Sequence, residues 1–284
     1  MNYRHAFHAG NFADVFKHAL LSRILVYLGR KPAPFRYIDT HAGLGRYDLA
    51  GDEATRTGEW RAGIGRLCAA VHPPAIEALL RPYLDAVGSL TDDGRPLDYP
   101  GSPALAQSLL RDGDRLLLAE LHPDDAATLR VAMGRDKRVK ILMRDGYEVL
   151  NAAIPAPERR GVVLIDPPFE VPDEFNRLAA ALAGACRKWA TGTYAVWYPI
   201  KEAAPLAAFY DRLDGLNLPP ACRLELARET PAPGAALRGC GLLVINPPYL
   251  LADEARQLLP YLAQVLGQAD APPFRPLIAE MPAR

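Results

Sequence analysis

The sequence predicts an α/β protein with a Rossmann-like sheet of seven strands, the last of them antiparallel, and a small inserted helical subdomain. Three observations lead to this prediction. Residues 115–200 alternate short apolar strands with helical stretches, which is typical of parallel sheets covered on both faces. Two further strands, in residues 222–229 and 240–249, have no long helix between them, which favours an antiparallel pair. Residues 55–99 show helical spacing broken by prolines, without strand alternation.

The chain begins with an aromatic and basic arm, followed by a helix. Asn11 is a good N-cap, apolar residues recur at helical spacing after it, and Gly29 can end the helix. The same spacing places Asp14, Lys17 and His18 on one face of this helix. The arm before the helix contains Tyr3, Arg4, His5 and His8.

The remaining elements follow in chain order. A short apolar strand runs into Asp39 and a glycine turn. Two helices fit the next segment, with breaks near residues 72–74 and 92–94. We therefore divide the chain into a main domain, residues 1–54 and 100–284, and the inserted helical subdomain, residues 55–99. The alternating region supplies strands that begin at residues 115, 139, 161 and 193, each followed by a helix, and two further strands close the chain.

Composition limits the possible functions. The 33 basic side chains balance the 33 acidic ones, so the net charge of zero argues against broad, non-specific coating of a polyanion. The four cysteines include no C-x-x-C pair and no histidine at metal-ligand spacing, which indicates a reduced chain without a metal site. No apolar run approaches the roughly 20 residues that span a bilayer, and the N-terminus lacks the apolar core of a signal peptide. We expect a monomeric, cytoplasmic protein with no membrane partner.

Acidic residues stand at the ends of four successive predicted strands. They are Asp39, Glu120, Asp145 and Asp166. Ligands of open α/β sheets bind outside the carboxyl ends of the parallel strands, so these side chains should converge on one crevice. Each of them taken alone also has an ordinary reading, as a turn or a solvated strand end.

The predicted crevice suits a cofactor that contains adenosine. Glu120 can accept both hydroxyls of a ribose, and Asp145 can accept from an adenine amino group. Gly43 and Gly45 let the backbone approach a ligand closely. The sequence contains neither G-x-x-x-x-G-K-[ST] nor a full G-x-G-x-x-G, so nothing supports phosphate binding there. S-adenosylmethionine, which has adenosine and no phosphate, fits these residues.

Two near-identical segments are candidates for the chemistry: LIDPPFE, residues 164–170, and VINPPYL, residues 244–250. An acidic or amide oxygen together with a proline-held carbonyl can accept both hydrogens of an exocyclic aromatic amine. This stabilises the positive charge that develops when the amine is methylated. The aromatic residue can then stack on the base. Asp166, Pro167 and Phe169 supply these groups in the first copy.

The predicted topology separates the two copies. Asn246 follows the strand that we predict to be antiparallel, so it should lie at the opposite edge of the sheet from the cofactor. Prolines that end a buried strand explain that copy sufficiently. We therefore assign catalysis to Asp166.

Several longer segments resemble one known family. They include YRHAFHAGNFADVFKH, DTHAGLGRYDL, YPGSP, RDGYEVL, RRGVVLIDPPFE, ATGTYAVWYPI and GLLVINPP. On these segments, which run along nearly the whole chain, the sequence resembles the RlmJ-type ribosomal RNA adenine-N6-methyltransferases of bacteria. The resemblance implies a class I methyltransferase fold and methyl transfer from S-adenosylmethionine to N6 of one adenine in 23S rRNA, either protein-free or in an early assembly intermediate.

The resemblance also implies residue roles. Asp166 would be the catalytic acceptor, with Pro167 and Phe169 beside the base, where Tyr is also common in place of Phe169. Tyr3 would meet the RNA, with His5 and Lys17 in the same matched segment. Ser102 can in addition cap the helix that follows it. Cofactor contacts would come from His18, His41, Ser102, Glu120, Asp145 and Gly146.

Three alternatives stay open at this point. A DNA adenine-N6-methyltransferase would use the same site, and the absence of a separate target-recognition domain favours structured RNA instead. A protein-glutamine methyltransferase is disfavoured by Asp166, since related enzymes carry Asn there, and by the basic arm. A non-catalytic nucleic-acid-binding relative is disfavoured by the intact acidic set. With zero net charge, we expect modest RNA affinity and a shallow salt dependence.

Overall fold

The structure of the chain is a computed structural model that describes residues 4–232 and 237–283. Tyr3, the predicted RNA contact, lies outside the described residues. The strands in chain order are β1 (Arg36–Asp39), β2 (Arg46–Tyr47), β3 (Tyr99–Pro100), β4 (Arg115–Ala119), β5 (Val139–Leu142), β6 (Gly161–Ile165), β7 (Thr193–Ile200), β8 (Ala221–Ala227), β9 (Gly239–Ile245) and β10 (Arg275–Met281).

One sheet of eight strands is formed by the described residues, in the order β10-β8-β9-β7-β6-β1-β4-β5. The five neighbouring strands β7, β6, β1, β4 and β5 are parallel, and β9 is antiparallel to both β7 and β8. The predicted Rossmann-like sheet and its antiparallel strand are thus confirmed. The prediction of seven strands was one short, because β10 adds an antiparallel edge strand next to β8. The short strands β2 and β3 form a separate ribbon.

The helices cover both faces of the sheet. They are α1 (Phe12–Gly29), α2 (Asp52–Thr57), α3 (Ile64–Ala69), α4 (Pro74–Val87), α5 (Ser102–Leu109), α6 (Pro123–Met133), α7 (Gly146–Ala153), α8 (Glu174–Lys188), α9 (Ala203–Asp214) and α10 (Leu251–Val265). Short 3₁₀ turns span His5–Phe7 and Glu59–Ala62. None of the helices in the described ranges is long and apolar enough to cross a membrane.

Helix α1 is buried on nearly all sides. Its predicted cap is confirmed, because the Asn11 side chain accepts hydrogen bonds from the backbone N–H groups of Ala13 and Asp14. Apolar residues of α1 enter the larger hydrophobic core. Asp14, Lys17 and His18 are buried as well. The helix therefore carries polar groups into the interior of the protein, where they must find partners.

The segment predicted as an inserted subdomain is helical around α4. Leu80 and Tyr83 of α4 are fully buried and belong to the same core as Phe16 and Leu20 of α1. The division of the chain into two units stays a prediction.

The end of the chain differs from the sequence prediction, which stopped at β9. Helix α10 packs on β10 and β8, and Leu258, Leu259 and Leu262 fill the core beneath it. The strand β10 pairs with β8 from Arg275 opposite Ala227 to Met281 opposite Ala221. These two elements complete one end of the sheet.

Candidate active site

The acidic residues predicted to converge lie at one edge of the sheet. Strands β5, β4, β1 and β6 are neighbours and run in the same direction, so their carboxyl ends share that edge. Asp39 ends β1, Glu120 follows β4, and Asp166 follows β6. Asp145 stands between β5 and α7. The predicted crevice is thus where the topology places it.

Asp166 is held by Lys17. The Lys17 ammonium donates to Asp166 Oδ2 at 2.6 Å and lies 3.1 Å from Asp14 Oδ1. The Lys17 side chain is only 6% exposed and the Asp166 side chain 16%. Burial acts against the charge of Lys17, but the carboxylates of Asp166 and Asp14 hold its pKa well above its usual value. Lys17 is therefore an ammonium ion at neutral pH, and it fixes one oxygen of the candidate catalytic carboxylate.

Asp14 supports this pair from the other side. Its Oδ2 accepts hydrogen bonds at 2.9 Å from the Gly10 N–H and from His5 Nε2. Burial raises the pKa of Asp14, but the charges of His5 and Lys17 outweigh burial and keep the pKa well below its usual value. The buried Asp14 carboxylate thus joins the N-terminal arm to Lys17. Sequence reasoning placed Asp14 on the correct helix face but gave it no role.

The residues after Asp166 form a constrained turn. Pro167 is buried and Phe169 is half-buried. Phe169 has a φ of 51°, in the left-handed region that non-glycine residues rarely adopt. Its ring packs against Phe175 at 4.9 Å and Trp197 at 6.1 Å between centroids. Such strain often occurs at functional turns, and here it coincides with the predicted base-binding motif.

Asn246, in the second copy of the motif, lies at the opposite edge. Ile245 pairs with Tyr194 near the start of β7, whereas Ile165, just before Asp166, pairs with Val196 further along the same strand. Both hydrogens of the Asn246 side chain are donated to backbone carbonyls, those of residues 190 and 192, at 2.7 and 2.8 Å. The predicted separation of the two copies is confirmed, and this amide holds a loop.

Asp39 is a buried carboxylate that the sequence analysis did not assign. Its Oδ2 accepts from the hydroxyls of Tyr37 at 2.6 Å and Ser102 at 2.7 Å. Burial raises its pKa to about 6, although these hydrogen bonds act in the opposite direction. The expected capping role of Ser102 was wrong. Gly101 is the N-cap of α5, and the Ser102 hydroxyl reaches the strand end instead of the helix backbone.

Glu120 bridges two loops at the end of β4. Its Oε2 accepts from the Gly43 N–H at 2.8 Å, and its Oε1 accepts from the His122 N–H at 2.9 Å. Burial raises the pKa of Glu120, against the effect of these bonds. Gly43 and Gly45 both have positive φ, as their predicted role in a tight turn requires. Each oxygen of Glu120 keeps a lone pair with which to accept from a ligand hydroxyl.

His41, Asp145 and Gly146 lie together where the loop after β1 meets α7. The Asp145 side chain caps α7 by accepting from the N–H groups of Tyr147 and Glu148. A Cβ atom at Gly146 would lie 2.1 Å from the carbonyl oxygen of Thr40, so only glycine permits this contact. Burial lowers the pKa of His41 to about 4, which makes it neutral.

His18 is fully buried beside two tyrosines. Its Nδ1 lies 3.0 Å from the Tyr99 hydroxyl, which is 2.9 Å from the hydroxyl of Tyr83. Burial lowers the pKa of His18 to about 3, so the ring is neutral. Its Nε2 is buried and has no hydrogen-bond partner among the residues that the structure describes. Buried polar atoms without a partner are rare, and a bound ligand is one way to supply it.

These features fit an adenosine-containing cofactor. The crevice offers carboxylate acceptors at two neighbouring strand ends and glycines at the close approaches, and the buried His18 keeps an unpartnered ring nitrogen among the residues that the structure describes. Acceptors of this kind suit ribose hydroxyls and an adenine amino group, and they repel phosphate.

Comparison with known proteins places the chain in one family. Residues 32–273 match the family described as "Ribosomal RNA large subunit methyltransferase D, RlmJ". The chain is 40% identical over 267 residues to a Haemophilus influenzae protein named "Ribosomal RNA large subunit methyltransferase J", with 94% of each chain covered. It is 38% identical over 269 residues to an Escherichia coli protein of the same name, with 95% of each covered. The structure is also similar to a crystal structure of a Legionella pneumophila protein, with a TM-score of 0.85, 35% identity, and coverage of 96% of this chain and 98% of that one.

Proposed function

Because the chain belongs to the RlmJ family of large-subunit ribosomal RNA methyltransferases, we propose that it methylates the N6 amino group of one specific adenine in 23S rRNA, with S-adenosylmethionine as methyl donor. One observation carries the choice of N6. An Asp-Pro-Pro-Phe turn stands at the carboxyl end of β6, with its carboxylate fixed by a buried lysine beside the adenosine-type acceptors.

The acceptor groups suit the poor nucleophilicity of an adenine amine. Its lone pair is delocalised into the ring, and the nitrogen gains positive charge as it attacks a methyl group. Lys17 donates to Oδ2 of Asp166. Oδ1 makes no hydrogen bond within the described residues, so this oxygen is available to accept a hydrogen bond from the amine. Together with the backbone carbonyl of Pro167, it can accept both N–H hydrogens and stabilise the developing charge.

Asp14 keeps the charge of the cluster favourable. An ammonium next to the reacting nitrogen would by itself oppose a developing positive charge. The Asp14 carboxylate lies 3.1 Å from the Lys17 ammonium and offsets part of its positive charge. Lys17 can therefore orient Asp166 without cancelling its electrostatic effect.

S-adenosylmethionine, when bound, supplies an activated methyl group on sulfur. Glu120 would accept from the ribose hydroxyls and Asp145 from the adenine amino group. We expect further cofactor contacts from His18, His41, Ser102 and Gly146, and the unpartnered Nε2 of His18 supports its role as a ligand contact.

The target adenine must leave its stack or already be unpaired for the amine to reach Asp166. We expect Phe169 to stack on the base, with its ring braced by Phe175 and Trp197. His5 would position the N-terminal arm through Asp14, and Tyr3, from the same arm, would contact RNA. The substrate is expected to be rRNA before or early in assembly, when this adenine is accessible.

The test is labelled methyl transfer from S-adenosylmethionine to protein-free large-subunit rRNA, followed by nucleoside analysis. We expect N6-methyladenosine from the wild type, none from Asp166→Ala, and product per folded molecule at the wild-type level from Asn246→Ala. A different methylated nucleoside, or loss of product only with a folded Asn246→Ala protein, would refute the proposal.

A further inference from the structure

Arg228 is a buried cation without a counterion among the residues that the structure describes. It follows β8, is 6% exposed, and its guanidinium lies 4.0 Å from the centroid of the Phe274 ring. Its Nη1 is buried without a hydrogen-bond partner, and no carboxylate in residues 4–232 or 237–283 forms an ion pair with it. A buried charge in this state is costly unless an anion completes its surroundings.

A second arginine is close enough for its charge to act on Arg228. Arg66 of α3 donates through Nη1 to the backbone carbonyl of Gly267, just after α10, and the Arg66 side chain is half-buried. Burial and the positive charge of Arg66 lower the pKa of Arg228, whereas Asp270 raises it. Asp270 is exposed and too far away to form an ion pair with either arginine. Two neighbouring cations repel each other, and an anion between them would relieve both this repulsion and the missing hydrogen bonds.

The position of this pair relates it to the active site. Strand β8 runs parallel to β7, because both are antiparallel to β9, so Arg228 stands at the same edge of the sheet as Asp166. Three strand-to-strand steps, about 14 Å, separate β8 from β6, and the register sets Arg228 about four residues, or about 13 Å, further along the strand direction than Asp166, so the two lie roughly 19 Å apart. Phe274, under Arg228, also packs against Phe12 at the start of α1, at 5.0 Å between ring centroids. An RNA strand whose adenine reaches Asp166 can therefore place a nearby phosphate here.

We propose that Arg66 and Arg228 bind a backbone phosphate of the RNA substrate a few nucleotides from the target adenine. The planar guanidinium, with its fixed fork of donors, matches phosphate geometry, and the missing acceptor at Nη1 is what a phosphate oxygen provides. This inference rests on the proposed function for the identity of the nucleic acid. It adds a contact that positions the strand and reads no base.

The experiment measures binding of protein-free large-subunit rRNA across a series of salt concentrations for the wild type, Arg66→Gln and Arg228→Gln. Loss of one phosphate contact lowers the slope of log K against log salt by about 0.7 to 0.9, which is roughly fivefold in affinity at 0.15 M salt. We expect this loss in each variant and about the same loss in the double variant, because both arginines share one phosphate. In methyl transfer KM rises and kcat stays within about twofold.

The matched control is Arg256→Gln. Arg256 is exposed on α10 and pairs with Asp253 and Glu280. The substitution removes the same charge, but at a position away from the catalytic edge, so the salt slope should not change. Arg228→Lys keeps the positive charge but not the forked guanidinium. It serves as a second test if Arg228→Gln does not fold, and it should recover part of the affinity.

Two outcomes overturn the inference. One is a salt slope in Arg66→Gln and Arg228→Gln equal to that of the wild type. The other has two parts: inorganic phosphate stabilises the wild type against heat more than sodium chloride does at equal ionic strength, and Arg228→Gln abolishes this stabilisation but leaves RNA binding unchanged. The site would then hold a free anion. If wild-type protein makes no N6-methyladenosine while the slopes fall as expected, the proposed reaction fails and the phosphate contact stands.

Discussion

Replacing Lys17 by methionine tests the central ion pair of the site. The change keeps a chain of similar length and removes the ammonium that lies 2.6 Å from Asp166 and 3.1 Å from Asp14. Removing one partner of a buried ion pair costs roughly 3–5 kcal/mol. Asp14 keeps its bonds from Gly10 and His5, and Asp166 faces the crevice, so we expect the lower end, about 3 kcal/mol. At about 2–4 °C per kcal/mol for a chain of this size, the midpoint of thermal unfolding should fall by roughly 6–12 °C.

Activity should fall further than stability explains. Without Lys17 the Asp166 carboxylate is no longer fixed, and loss of a preorganised electrostatic contact typically lowers kcat by about 10²–10³-fold. The assay is methyl transfer to rRNA at a temperature where calorimetry shows both proteins folded. The control is Lys188→Met at the exposed end of α8, where we expect a loss of less than about 0.5 kcal/mol in the free energy of unfolding and no change in kcat. If a folded Lys17→Met protein keeps more than half of the wild-type kcat, Asp166 does not depend on Lys17 and the assigned role is wrong.

Three further predictions concern stability. The pKa of His18 is about 3 in the folded protein, below its usual 6.5, so the unfolded chain binds one more proton between these values and stability falls as the pH falls through that window. Between pH 7 and 5 the free energy of unfolding in urea should fall by about 2 kcal/mol more for the wild type than for His18→Gln. Equal losses would contradict the buried neutral ring. Ser102→Ala should lower the free energy of unfolding by about 1–2 kcal/mol because Asp39 loses a hydrogen-bond donor. Ser108→Ala removes a hydrogen bond to the Leu105 carbonyl in the same helix and should change it by less than about 0.5 kcal/mol. Similar losses in the two variants would show that Asp39 does not need the Ser102 hydroxyl. Asn246→Ala should cost roughly 3 kcal/mol and Asn246→Gly about 1 kcal/mol less, since glycine tolerates the φ of 50°; the reverse order would exclude the backbone contribution.

The sequence predicted those parts of the fold that depend on local pattern. Strand and helix alternate between residues 115 and 200 with clear periodicity, and each predicted strand there is present. Placement of the acidic residues at one edge followed from the rule for parallel strands. The antiparallel β9 was equally predictable, because no long helix joins it to β8.

The end of the chain was less predictable. Helix α10 contains Pro260, which argues against a helix interior in a local reading. Strand β10 is mostly exposed and contains Pro276, so it lacks the buried apolar run of a central strand. An edge strand is determined by the partner that it covers, and local sequence carries little of that information.

The ion pair at the site lay beyond sequence reasoning for a different reason. Lys17 and Asp166 are 149 residues apart, and their contact exists only after α1 packs against the sheet. Helical spacing placed Asp14 and Lys17 on one face, but α1 is buried nearly all round, so no amphipathic pattern indicated which face meets the active site. The family resemblance indicated that Lys17 matters, and the packing shows which group it contacts.

The covering of β8 by β10 has a consequence for self-association. A central strand left at an edge offers a row of unpaired N–H and C=O groups that another chain can join. Strand β10 closes β8 along its length and becomes the new edge. It includes Pro276, which has no N–H to donate, and Glu280, whose carboxylate pairs with Arg256. Strand β10 therefore prevents the sheets of different molecules from pairing edge to edge. A variant without β10 should aggregate during refolding at high protein concentration.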